Sequence, residues 1–203
     1  MKYRWSVAPP QPLLASRLAS ETNCSPLLEQ CLLNRGLSEA PQVAAFLEPR
    51  LKQLADPFLL PNMERAVQRL FQARERREKL VIFGDYDVDG VSSTALLLEV
   101  FHRLGWEAGS YLPHRLDEGY GLSQDGVQNC LKRFPASLLL AVDCGSTAIA
   151  AIEWLRQNGV EVLVLDHHQV SNPPPSALAL VNPQLASPSD PSFRELCSAG
   201  LAF

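Results

Sequence analysis

Residues 80–100 read LVIFGDYDVDGVSSTALLLEV, and the order of events inside them decides the fold. An apolar run, Leu80 to Phe83, enters a turn that concentrates Asp85, Asp87 and Asp89 between Gly84 and Gly90, and a helical pattern follows. The same succession recurs downstream, where SLLLAVD runs into Asp143-Cys-Gly and VEVLVLDHH into Asp166-His167-His168. EAGSYLP and ALALVNP supply two more short apolar runs, with SQDGVQNCLKRF and TAIAAIEWLRQNG as helical stretches between the runs. Short apolar runs joined by helices imply buried parallel strands with crossover helices. The expected fold class is α/β, a parallel-rich sheet flanked by helices, preceded by an N-terminal helical region.

Asp85, Asp87, Asp89 and Gly90 also satisfy the opening of an EF-hand calcium loop. That loop needs a bidentate Glu at its twelfth position and a helix before it. Position twelve is Leu96, and an apolar strand-like run precedes the motif. The calcium reading fails.

In an open parallel sheet the carboxyl ends of the strands line the ligand crevice. Short right-handed crossovers make adjacency of these strands the default, so the three acid-bearing turns are expected to meet along one edge. Ionised together in a partly buried crevice, Asp85, Asp87, Asp89, Asp143 and Asp166 would repel one another. Either several carry protons or cations neutralise them. Carboxylates with an imidazole suit Mn²⁺ or Mg²⁺, whereas zinc would recruit more His or Cys. With room for two ions, such a site activates water and clamps a phosphoryl group. The plainer alternatives are that Asp143 merely caps the next helix and that His167-His168 is an incidental loop pair. Equivalent placement at three strand ends argues against capping alone.

Gly84, Gly90 and Gly145 fit tight turns where backbone approaches a ligand. In LPHRLDEGYGLS, His114 and Arg115 lie beside the expected end of another strand. Arg115 is either a bidentate phosphate fork or a surface salt-bridge partner of Asp117 or Glu118. Trp5, Trp106 and Trp154 either pack against their elements or stack on bases.

The net charge of −4 gives no global basic field, so a polyanion would need a local basic patch or bound metal. Five cysteines without a Cys-x-x-Cys pair predict buried thiols in a reducing cytoplasm rather than disulfides or zinc. No stretch approaches the roughly 18 apolar residues of a membrane span, and the N-terminus lacks a signal peptide's apolar run. Residues 1–78 are expected to be helical. Leu27, Leu28, Cys31 and Leu32 form one helix face ending near Gly36, and Met63, Val67, Leu70 and Phe71 form another. The charged run RERREK is expected to be a solvated helix end. Residues 171–192, rich in Pro and Ser, are expected to loop around one short strand. The closing FRELCSAGLAF reads as the first turns of an apolar helix, so the domain over 79–203 is expected to be cut short there.

The motifs VIFGDYDVDGVSSTALL, LPHRLDEGYGLS, AVDCGSTA and VLDHHQ, taken in order, resemble the DHH phosphoesterase superfamily. More narrowly they are similar to its RecJ-type branch, 5′ to 3′ exonucleases specific for single-stranded DNA. The resemblance extends to ALALVNPQ and to the upstream segment SPLLEQCLLNRGLS, and so covers nearly the whole chain. It implies that Asp87, Asp89, Asp143 and His167 ligate one or two Mn²⁺ or Mg²⁺ ions. His168 would contact the scissile phosphate and Asp166 would orient the first imidazole. Asp85 would support the cluster, and Arg115, with His114 beside it, would touch substrate phosphate. Related pyrophosphatases carry His where this chain has Phe83, which speaks against that activity and for a looser hold on one ion. The family's last metal-ligating Asp, its second domain and the branch's OB-fold would lie beyond residue 203, leaving this chain alone a poor catalyst. The resemblance further implies a monomer in DNA recombination and repair, with single-strand-binding protein and a helicase as partners. Two rival readings stay open: a DHH enzyme acting on oligoribonucleotides or cyclic dinucleotides, and a non-catalytic replication scaffold of the same fold.

Overall fold

A computed structural model describes residues 6–186 and 193–203. Trp5 and the tail of the Pro- and Ser-rich segment, 187–192, lie outside them. Five strands form one sheet: β1 (Leu80–Gly84), β2 (Ala108–Tyr111), β3 (Leu138–Val142), β4 (Glu161–Leu165) and β5 (Ala179–Val181). Their order is β2-β1-β3-β4-β5, and every neighbouring pair is parallel. β1 and β3 are buried at every residue, which is why they read as unbroken apolar runs. The chain moves outward from β1 to β2 and then returns across β1 to β3. The carboxyl ends of β1 and β3 therefore flank the switch point where such sheets bind ligands.

Helices cover both faces. On one face Leu80, Ile82, Leu138, Leu140 and Val142 pack with residues of α4 (Met63–Glu75) and α5 (Val88–Arg103). On the other, Val81, Phe83, Leu139 and Ala141 pack with α7 (Gln124–Arg133) and α8 (Ile149–Gln157). Burying each such side chain contributes about 1.5–3 kcal/mol, before the entropy of ordering it. The sheet is the interior of an α/β sandwich. Trp106 packs on Phe101, with ring centroids 5.0 Å apart, and Trp154 lies half-buried against the second face. Both follow the packing alternative.

The chain divides into two compact units, Met1–Asp56 and Pro57–Phe203. In the first, α1 (Pro12–Thr22) packs with α2 (Pro26–Leu33) through Ala15, Leu18 and Leu33, and α3 (Ala40–Leu47) follows. Gly36, with φ of 86°, closes α2 as expected, its N–H donating to Leu33 O at 2.9 Å. The buried side of α2 differs from the expected one. Glu29, Leu32 and Leu33 are buried while Leu27, Leu28 and Cys31 are exposed.

α4 joins the sheet unit rather than the helices before it, because Met63, Ala66 and Ala73 share the core of Leu80 and Ile82. Small alanines let this helix lie close to the sheet, and Phe71 turns outward at 55% exposure. Arg69 is buried on the same helix, its Nε donating to Glu161 at 2.7 Å while the guanidinium also pairs with Glu78. At the C-terminal end the helix predicted from Phe193 begins only at Ser198, as α9 (Ser198–Ala202), with Phe193 and Leu201 in the core.

Breaking a buried ion pair costs far more than trimming an exposed side chain. Arg69→Ala, which leaves Glu78 and the half-exposed Glu161 without their partner, is expected to lower stability by about 1–3 kcal/mol, and Phe71→Ala by less than about 0.5 kcal/mol, in urea denaturation.

Candidate metal centre

Gly90 has no room for a Cβ, which would lie 2.4 Å from the carbonyl oxygen of Asp85. The first turn of α5 thus presses directly on the end of β1 and fixes the three acids of GDYDVDG. Asp87 is the N-cap of α5, its Oδ1 accepting from the N–H of Asp89 at 2.9 Å and of Gly90 at 3.1 Å. The Gly90 bond in particular holds the Asp87 carboxyl below the ordinary range. Asp85 is fully buried and its Oδ2 has no hydrogen-bond partner. Burial pushes its pKa up.

Asp143 follows β3 in a left-handed backbone conformation (φ 62°) and is 1% exposed. Neither of its carboxylate oxygens has a partner of good hydrogen-bond geometry, although the Ser198 and Asp87 side chains stand close by, and His167 Nε2 lies 3.5 Å from Oδ1. Burial, with the neighbouring Asp87 and Asp89 charges, raises its pKa to about 7. A buried carboxylate of this kind is stable when a cation faces it. Two donor groups converge on it: Asp85, Asp87 and Asp143, and Asp143, His167 and His168, with the donor atoms of each group within 4.8 Å of one another. The set is rich in carboxylate oxygen with some imidazole, which suits Mn²⁺ or Mg²⁺.

Asp89 stands outside both groups. Its two oxygens accept from the N–H groups of Ser198 (2.7 Å) and Ala199 (2.8 Å) at the start of α9, and Oδ2 lies 3.7 Å from His167 Nε2. Asp166 does not orient the first imidazole, as expected, but the second. Its Oδ1 lies 2.7 Å from His168 Nδ1, while His167 meets it only through a backbone N–H at 2.8 Å. The Asp166 N–H donates to Val181 O at 3.1 Å, which extends the pairing of β4 with β5 to this residue. Burial opposes ionisation of Asp166, but hydrogen bonds from Ser146 and His168 outweigh it and hold its carboxyl low. Burial likewise disfavours the His168 imidazolium, and Asp166 reverses the balance, so His168 titrates above its ordinary range.

Arg115 forms the salt bridge with neither Asp117 nor Glu118. Its guanidinium lies over the Tyr86 ring, 5.1 Å from the centroid, beside the acid-bearing turn. Asp117 lies 2.7 Å from His114 Nδ1 on the exposed surface, and His114 belongs to neither donor group. Glu118 is buried and takes hydrogen bonds from Tyr111, Asn129 and the His114 N–H. Weighed only as an ion-pair partner from sequence, Glu118 instead pins the short helix α6 (Arg115–Glu118) that carries Arg115. Gly145, with φ of 112°, turns the chain after Asp143. A cleft of about 360 Å³ adjoins the cluster, lined by Tyr120, Leu122, Cys144, Thr147, His168 and Gln169 among others. Burial pushes the Cys144 thiol far above its ordinary pKa, and the side chain packs in the second-face core. Phe83 fills the second-face core against Tyr111 at 5.6 Å.

Acids and imidazoles gathered at the switch point of a parallel sheet define the class, an α/β domain with a divalent-cation donor set. Residues 79–203 match the family model described as "DHH family, N-terminal domain". The chain belongs to the DHH family. It is 32% identical over 202 residues to the single-stranded-DNA-specific exonuclease RecJ of Bacillus subtilis, covering 100% of this chain and 25% of that protein. Among solved structures it resembles exonuclease RecJ bound to manganese, at 35% identity and TM-score 0.65, over 73% of this chain and 37% of that one. It also resembles RecJ from Thermus thermophilus in complex with Mn²⁺, at 28% identity and TM-score 0.71, over 97% of this chain and 27% of that one. The chain thus spans between a quarter and just over a third of the length of these relatives.

An unfolded chain releases the Asp143 proton near pH 3.9 or so, whereas the folded, metal-free site keeps it to about 7. Between those values the folded state binds more protons, so metal-free stability falls as pH rises. Asp143→Asn, which tolerates the left-handed backbone, is expected to flatten that slope. It should also raise the melting temperature in EDTA at alkaline pH, each kcal/mol of relief amounting to about 2–4 °C. An unchanged slope would show that this carboxyl is under no such strain.

Proposed function

We propose that this chain is the cation-binding domain of an exonuclease that hydrolyses single-stranded DNA from its 5′ end, releasing mononucleotides. The observation that carries it is Asp143, a buried carboxylate with both oxygens lacking a partner of good hydrogen-bond geometry and shared by two donor groups. Similarity to the RecJ exonucleases, two of them solved with manganese, supplies the substrate class. Asp85, Asp87, Asp143 and His167 would hold one or two Mn²⁺ or Mg²⁺ ions, with Asp89 facing the same space through its remaining lone pairs. Bound cations would supply charge neutralisation and Lewis acidity for phosphodiester cleavage. His168, oriented through Nδ1 by Asp166, would present Nε2 to the space shared with Asp143 and His167, toward the cation or a phosphoryl oxygen. Arg115, braced on Tyr86 and anchored through Glu118, offers its fork to a neighbouring phosphate.

Residues 79–203 are read as the catalytic domain and 1–78 as an accessory helical region, except that its last helix, α4, packs on a face of the sheet and belongs with it. No helix among the described residues is long and apolar enough to cross a membrane, and all five cysteines are free. The similarity to the RecJ exonucleases is what leads us to read the protein as a cytoplasmic monomer acting with single-strand-binding protein and a helicase in DNA recombination and repair.

In the full-length protein, Asp87→Ala, Asp143→Ala and His167→Ala should each weaken Mn²⁺ binding by more than the roughly 100-fold that losing an outer partner costs. Degradation of single-stranded DNA should be lost with it. Undiminished degradation in EDTA, or no cation uptake by calorimetry, would overturn the proposal. Faster cleavage of dinucleotides than of long single strands would redirect the substrate class to short oligonucleotides.

A further inference from the structure

We propose that Asn182 is a positioning residue for His168, gripping it at its carbonyl directly and at its imidazole through Ser146 and Asp166. This rests on the reading that the Asp143, His167 and His168 group holds a cation. Asn182 follows β5 and is fully buried. Its Oδ1 accepts from the Gln184 N–H at 2.8 Å, capping the short 3-10 turn Pro183–Leu185. Capping accounts for an Asn before Pro183, but it uses only the acceptor.

The amide donors go elsewhere. Nδ2 donates to the carbonyl of His168 at 2.9 Å and to the Ser146 hydroxyl at 2.7 Å. Ser146, in the loop after β3, donates its N–H to Asp166 Oδ2 at 3.0 Å. Asp166 Oδ1 in turn meets His168 Nδ1 at 2.7 Å. One buried amide therefore ties the ends of β3, β4 and β5 into a closed ring of hydrogen bonds around a single imidazole. Gln184, the residue that Asn182 caps, adds a long bond of 3.4 Å to the carbonyl of His167. Aspartate at 182 would keep the cap and lose both donors, setting a carboxylate against the His168 carbonyl.

Partners beyond the ligands fix ring orientation, and their loss costs about 10–100-fold in metal affinity. The test uses the full-length protein, with Mn²⁺ calorimetry, the electron-paramagnetic-resonance spectrum of bound Mn²⁺ and thermal unfolding in EDTA. Asn182→Ala and Asn182→Asp should weaken Mn²⁺ binding by about 10–100-fold and change the spectrum while the protein still unfolds cooperatively. Asn62→Ala is the control, since Asn62 Nδ2 donates to Leu180 O at 2.8 Å on the same strand without reaching the ring. It should lower the melting temperature and leave Mn²⁺ affinity unchanged. Should the Asn182 variants fail to fold, Ser146→Ala decides, because it removes one hydroxyl from the same chain of bonds. Parent-like Mn²⁺ affinity in Asn182→Ala or, where that variant does not fold, in Ser146→Ala overturns the assignment, as does an equal loss in Asn62→Ala. A parent that takes up no Mn²⁺ overturns the metal reading and this one together, whereas a parent that binds while the variants match it overturns this one alone.

Discussion

A carboxylate buried with little hydrogen bonding is among the costlier things a protein interior can hold, and Asp143 is one, with Asp85 beside it holding a single bond from the Tyr86 N–H. The surrounding structure keeps these charges close against their repulsion. β1 and β3 are adjacent and in register, Gly84 opposite Val142, so the turns that follow them open side by side. Gly90 lets α5 begin hard against Asp85, and its helical N–H groups hold Asp87 ionised. Two buried faces of aliphatic side chains make the sheet stiff enough to keep that arrangement.

A second tier acts on the imidazoles. Asp166 gathers backbone and side-chain donors from Ser146, His167 and His168, and remains charged in spite of its burial. That charge sets both the orientation of the His168 ring and its preference for the protonated form. Glu118 has the equivalent part for the α6 turn, and its bonds to Tyr111, Asn129 and the His114 N–H keep Arg115 near Tyr86. A buried carboxylate saturated with donors is a rigid anchor, whereas one left bare calls for a cation.

Legibility in the sequence tracked how local each feature is. Parallel strands buried on both faces leave unbroken apolar runs, so LVIF and LLLAV announced β1 and β3, and the acids after them announced the edge. α4 was harder, because Ala66 and Ala73 carry little hydrophobic signal although they make the close contact, while Phe71 carries much and is exposed. The partner of Asp166 is not legible locally, because contacts between residues two apart in a loop depend on how the loop is held. Here the hold comes from Asn182, 14 residues further along. An Asn before a Pro at a strand end looks like ordinary turn chemistry, and nothing local shows where its amide donors go. Glu118 was hidden in the same way, since charge beside Arg115 suggested an ion pair that burial against Tyr111 forbids.

The central claim is that Asp143 is common to two cation positions. Mn²⁺ titration of the full-length protein followed by electron paramagnetic resonance tests it directly, because two ions sharing one carboxylate couple their spins. The account predicts a second equivalent of Mn²⁺ that converts an isolated-ion spectrum into a coupled one. Two equivalents giving only independent, uncoupled spectra would contradict it.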